Sequence, residues 1–260
     1  MIIVFWIVLA GILVAIGITA ASTIKTMRKP RWGIVPTDNL LKKEIIITTG
    51  GKTFHGFVYT STDFTESPPM PGMLLLPDRD EKYPGFEHWA AIFALQGFPT
   101  LAVDLYGKKM LAAEFLDVVS TAFPSFKQAL TENANVDPSG FGMLGFGESA
   151  LAGLYAGSAD DEVKAICCAG MPRADPSRVN DAMGRIFLAH CKDDTMAPLD
   201  EFEANKDSLG VGDRDYLLLD LGGHGFISQE AVIAGYFSIP VHKMLGLYYK
   251  QFTPTGVIET

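Results

Sequence analysis

The sequence is short of cysteine, of basic residues and of repeats, and each shortage removes a class of protein. Only three of its 260 residues are cysteine, with Cys167 and Cys168 adjacent and Cys191 apart. That spacing supplies no disulfide framework and no CxxC or Cys/His cluster for zinc. Buried thiols in a reducing compartment are the expectation. Lys and Arg number 21 against 30 Asp and Glu, for a net charge of -9. Nucleic acid is therefore not an expected partner, since neutralising phosphates takes clustered cations. No internal repeat or low-complexity tract interrupts the chain. The segment GFGESA (145–150) does not match GxGxxG followed by an acidic ribose contact, which argues against a Rossmann-type nucleotide enzyme. No cofactor and no metal are expected.

Charge is missing altogether from residues 1–22, MIIVFWIVLAGILVAIGITAAS. A run of about 20 apolar residues suffices to span a bilayer as a helix. A cleaved signal would have a basic start and a shorter apolar stretch, so an uncleaved anchor is the preferred reading. Lys25, Arg28, Lys29 and Arg31 all follow the span. By the positive-inside rule this flank, and the globular domain behind it, face the cytoplasm. The expected organisation is a transmembrane anchor over 1–22, a basic juxtamembrane linker over 23–42, one domain over 43–252 and a tail over 253–260.

Hydrophobic residues make up 48% of the chain, enough for one sizeable core. Lys43–Thr49 and Thr53–Thr60 read as strands flanking Gly50-Gly51, a hairpin signal. Further strands are expected at Met73–Pro77, Pro99–Asp104, Phe141–Leu144, Val163–Ala169, Arg185–Cys191 and Tyr216–Leu221. Helical periodicity lies between them, at Phe86–Gln96, Lys109–Thr131, Ser149–Gly157 and Leu199–Ser208, and again at Glu230–Gln251. Short apolar strands alternating with helices imply βαβ units and a mostly parallel sheet with helices on both faces. In such sheets ligands sit beyond the carboxyl ends of the strands.

Four strand ends carry motifs: DLYGK at 104–108, VDPSGFGMLGFGESA at 136–150, HCKDDTMAP at 190–198 and LGGHGF at 221–226. Together these resemble the dienelactone hydrolase family of α/β-hydrolases. That family shows a VDPxRIGxxGFSxGG-like nucleophile elbow, an HGxxDxxxP-like acid loop and a GHGF-like histidine loop. The resemblance covers about residues 45 to 250 and keeps the chain order nucleophile, Asp, His. It implies an α/β-hydrolase fold and a membrane-tethered hydrolase of small carboxylic esters or lactones.

By position, the resemblance makes His224 the base and Asp194 the acid that orients it, with Asp193 as the fallback. His55, His88, His190 and His242 fall on strands or helices and fit less well. The elbow departs from the family. Counting from Asp137, the nucleophile position falls on Gly147, which has no side chain. In a second register the Gly-Glu-Ser of 147–149 makes Ser149 the nucleophile, as in carboxylesterases. Small neighbours two residues either side of the apex favour Gly147, because Ser149 would bring bulky Leu151 into the cramped turn. The oxyanion candidates are Glu148, just after the elbow position, and Asp78, after the third strand; Glu148 could equally be a general acid or base. The alternative to an esterase is a catalytically inactive homologue that binds a ligand or partner.

Overall fold

A computed structural model of the chain describes residues 38–79, 87–105, 110–180, 184–213 and 215–224. The anchor expected over 1–22, most of the linker, the helix expected over 230–251 and the tail lie outside these residues. Among the described residues no helix is long and apolar enough to cross a membrane.

The described residues form one sheet of eight strands: β1 (Leu40–Thr49), β2 (Lys52–Ser61), β3 (Met70–Leu76), β4 (Thr100–Asp104), β5 (Val136–Phe146), β6 (Val163–Ala169), β7 (Ile186–Cys191) and β8 (Tyr216–Leu219). Their spatial order is β1-β2-β4-β3-β5-β6-β7-β8. The hairpin β1–β2 and the β2–β4 pair are antiparallel, and every other pair is parallel. Among the described residues four α-helices connect the strands: α1 (Glu87–Leu95), α2 (Ala112–Asn133), α3 (Gly147–Ser158) and α4 (Leu199–Ser208).

The alternation of β3 explains the layering. Leu74 and Leu76 join a core with Phe115, Leu151 and Phe202, from α2, α3 and α4. Met73 and Leu75 point the other way, into a second core with Trp89 and Phe93 of α1. A strand buried on both faces reads as a continuous apolar run, as MLLL does. Helices therefore cover both sides of the sheet, as expected.

The differences from expectation are at element ends. The sheet begins at Leu40, inside the expected linker. β5 is far longer than 141–144, because Val136–Gly140 extends it along β3 through an irregularity in the β3 register at Pro71/Gly72. β8 stops at Leu219 rather than 221, which releases residues 220–223 as the loop that carries His224. The helix after β5 starts at Gly147, two residues before the expected Ser149.

The site lies where the strand order reverses. From β3 the chain moves to β4 on one side and then to β5 on the other. Such a switch point opens a crevice at the carboxyl ends of the two strands.

Candidate active site

Register brings the first two components together. Leu76 of β3 pairs with Gly145 of β5. Two residues further along each strand, Asp78 and Gly147 emerge side by side. β5 ends at Phe146, and Gly147 opens α3 with φ +55°, a left-handed conformation that favours glycine. The turn is also tight beneath: a Cβ on Gly145 would lie 2.5 Å from Ala150 Cα. Strand-to-helix turns of this kind need small residues two places before the apex.

The other two components arrive on loops. Asp194 follows β7, and its Oδ1 accepts hydrogen bonds from the amides of Met196 (2.8 Å) and Ala197 (3.0 Å). His224 follows β8. Its loop is held by the neighbouring Asp193, whose carboxylate accepts from the amides of Gly222 (3.2 Å) and Gly223 (2.8 Å). The imidazole Nδ1 lies 2.9 Å from Asp194 Oδ2. On its far side Nε2 lies 2.7 Å from Asp78 Oδ2. Three residues from three strand ends thus form one line, Asp194–His224–Asp78.

Burial alone would lower the His224 pKa, but hydrogen bonds and charge from Asp194 and Asp78 outweigh it and push it up to about 10. The imidazole is then doubly protonated at neutral pH, with each N–H donating to a carboxylate. Burial works to raise the Asp194 pKa, yet the hydrogen bonds from His224 and the Ala197 amide leave it lowered, so Asp194 is an anion.

The structure brings Gly147 to His224 and leaves Ser149 aside. A Cβ built on Gly147 would lie 2.9 Å from His224 Nε2 and 1.6 Å from Asp78 Oδ2. Ser149, the alternative nucleophile, is fully buried in the first turn of α3, and its Oγ has no hydrogen-bond partner. The register that would crown β5 with Ser149 is not the one adopted, because the strand turns at Gly147. Glu148 does not face the imidazole through a hydrogen bond either; its carboxylate pairs with Arg79 Nε at 2.7 Å.

Two features escaped sequence reasoning. Its place after the third strand makes Asp78 an oxyanion candidate in the sequence, whereas in the structure its carboxylate holds the histidine. The burial of Asp78, at only 4% exposed, marks it in the structure; the sequence shows only a carboxylate two residues past an apolar strand, which reads equally as a solvated turn. Gly170, one residue past β6, belongs to none of the motifs in the sequence. A Cβ there would press on the pair, at 3.0 Å from Asp194 Oδ2 and 3.2 Å from His224 Nδ1, and the backbone φ of +55° favours glycine as well. Cys167, Cys168 and Cys191 are buried free thiols. Burial pushes Cys168 and Cys191 well above the usual thiol range, which leaves them inert as nucleophiles. Among the described residues no group of three or more His, Cys, Asp or Glu could hold a metal ion.

Known structures share this framework. The fold is that of the dienelactone hydrolase-like α/β-hydrolases. A Klebsiella pneumoniae protein described as a dienelactone hydrolase matches with a TM-score of 0.61 at 12% identity, covering 81% of this chain and 99% of its own. A dienelactone hydrolase-like promiscuous phosphotriesterase from metagenomic libraries matches at 0.59 and 18% identity, covering 80% and 99%. A Pyrococcus furiosus esterase matches at 0.57 and 14% identity, covering 80% and 93%. No family model and no curated protein matches the sequence. At these identities the likeness establishes the fold, and the chemistry has to be argued from the site.

Proposed function

We propose that this domain hydrolyses small carboxylic esters or lactones by acid–base chemistry on a water molecule, without a serine acyl-enzyme. The observation that carries the reading is the imidazole held between two carboxylates at the carboxyl edge of the sheet. The likeness to dienelactone hydrolase-like proteins and an esterase supports hydrolysis as the reaction class.

Each residue has a task. Asp78 takes a proton from water as the oxygen adds to the substrate carbonyl carbon. His224, cationic at rest, donates its Nε2 proton to the departing alkoxide as the carbon–oxygen bond breaks. The proton on Asp78 then crosses the 2.7 Å hydrogen bond to His224, which restores the resting state. Asp194 fixes the ring and stabilises its charge throughout. Without a nucleophile the rate enhancement is modest; serine hydrolases stripped of a triad member keep about 10³–10⁴-fold over water, from the oxyanion hole and substrate binding.

One observation favours a second reading, an inactive homologue that binds a ligand or partner: Asp78 Oδ2 occupies the space a nucleophile side chain would take. Hydrolysis of p-nitrophenyl acetate and of small lactones separates the two. The first reading expects activity that His224→Ala abolishes and Ser149→Ala preserves. Loss of activity in Ser149→Ala, with fluorophosphonate labelling of Ser149 in the parent, refutes the water mechanism. No hydrolysis by folded protein leaves the binding module. The tether over 1–22 and a cytoplasmic domain complete the proposal. Release of the protein from membranes by carbonate washing would count against the tether.

A further inference from the structure

Asp78 and Gly147 form a matched pair. The carboxylate oxygen stands 1.6 Å from where any Cβ at position 147 would be, so no residue but glycine tolerates Asp78 in this position. The space is the one in which a nucleophile on the elbow would present its reacting atom to the imidazole. Asp78 Oδ2 meets the same demands from a different strand. It lies 2.7 Å from His224 Nε2, and the imidazole is oriented by Asp194 at 2.9 Å. Nucleophile, base and orienting acid within hydrogen-bond reach define a catalytic triad by geometry, whatever the residue types, and a carboxylate is an accepted nucleophile.

We propose that Asp78 is a carboxylate nucleophile supplied from β3 in place of the elbow residue, and that the site turns over haloalkanes, whose electrophilic centre is a saturated carbon. This goes beyond ester hydrolysis and does not depend on it. The leaving group selects the class. Attack of a carboxylate on an ester carbonyl would expel an alkoxide, a far stronger base, to give an anhydride, which is strongly uphill. Attack on a saturated carbon that bears a halide gives a stable alkyl ester.

The steps balance. An Asp78 carboxylate oxygen forms a bond to carbon as the carbon–halogen bond breaks, and the halide leaves with the electron pair. Esterification removes one of the two negative charges that keep His224 protonated, so the imidazole releases its Nε2 proton to solvent and becomes a base. Water then adds to the Asp78 Cγ with His224 taking its proton. Collapse of the adduct releases the alcohol and returns the Asp78 carboxylate. The sum is haloalkane plus water giving alcohol, halide and a proton.

The test uses the full chain with 1-bromobutane and 1,2-dibromoethane. Bromide release is expected, falling roughly a thousandfold in Asp78→Asn. In His224→Gln the second step is blocked, and mass spectrometry should find an alkyl ester on the peptide that contains Asp78. A single turnover in oxygen-18 water should put the label in Asp78 and leave the alcohol unlabelled. Labelled alcohol, bromide release retained in folded Asp78→Asn, or no bromide release from the parent with either compound overturns the proposal. Ester hydrolysis without bromide release would reject this inference and leave the water mechanism standing. Bromide release without ester hydrolysis would do the reverse.

Discussion

At the ends of β7 and β8 the site is built from loops; at the ends of β3 and β5 it is built from register. Asp194 and His224 stand three and five residues beyond the paired Cys191 and Leu219, and need hydrogen bonds from four backbone amides to fix their loops. Asp78 and Gly147 stand only two residues beyond the paired Leu76 and Gly145, so strand pairing itself sets them side by side. The loop half carries side chains of the types expected for acid–base chemistry. The register half sets a carboxylate two residues past β3 in the space above the glycine just past β5, an exchange of position between neighbouring strands. An exchange of this kind is sterically simple where two parallel strands end level, because either strand can reach the same space.

The comparison can be broken most sharply from the loop half. His224→Ala should reduce ester hydrolysis by about 10³-fold or more, read as kcat/KM, and would leave Asp78 and Asp194 facing each other as uncompensated anions. Thermal melts should show a lower Tm as well. The register half predicts a reciprocal effect. Gly147→Ser alone should destabilise the fold by about 2–4 kcal/mol, because it combines a left-handed backbone with a Cβ 1.6 Å from Asp78 Oδ2. Adding Asp78→Gly should recover much of that loss and open a serine to His224, detectable as fluorophosphonate labelling. Strictly additive denaturation energies in this double-mutant cycle would show that the two positions do not share the space.

A smaller effect comes with pH. The folded His224 pKa of about 10 exceeds its ordinary 6.5. Its stabilising contribution is therefore complete below about 6.5 and is lost as pH rises through about 10. Asp194 works in the opposite sense: its lowered pKa stabilises above the ordinary 3.8 and fails as pH falls through the folded value. The groups facing the imidazole are Asp194 and Asp78, with His190 close enough for its own pKa to be lowered in part by the His224 charge, after burial. Denaturation midpoints from pH 7 to pH 11 should fall in the parent protein, and more gently in Asp194→Asn. The smallest effect belongs to Ser149→Ala. Removing a buried, unpartnered hydroxyl should shift stability by no more than about 1 kcal/mol, in either direction, and leave hydrolysis intact.

Much of the fold was legible because buried parallel strands announce themselves. MLLL, TLAV and KAICCA are short, apolar and separated by helix-length segments. Strand ends were less legible. The extension of β5 through Asp137-Pro138-Ser139 runs against local propensity; Val136 and Asp137 pair with Met70 and Pro71 of β3, and 138–140 fall in the register shift that follows. In the site, the Asp194–His224 contact was anticipated from motif order, and the steric case for glycine at the elbow followed from Gly145 and Leu151. The Asp78 carboxylate was not anticipated. Nothing in PDRD distinguishes a buried functional carboxylate from a solvated turn.

The sequence by itself determined the alternation of strands and helices, the absence of a side chain at position 147 and the chemical types that reach the sheet edge. These are local properties, written in hydrophobic period and residue identity. Only the tertiary structure decided that Asp78, 146 residues before His224 in the chain, fills the space above that glycine. The physical reason is that strand order and register are set by packing across the whole sheet, and one residue of slip would have turned the carboxylate to the other face.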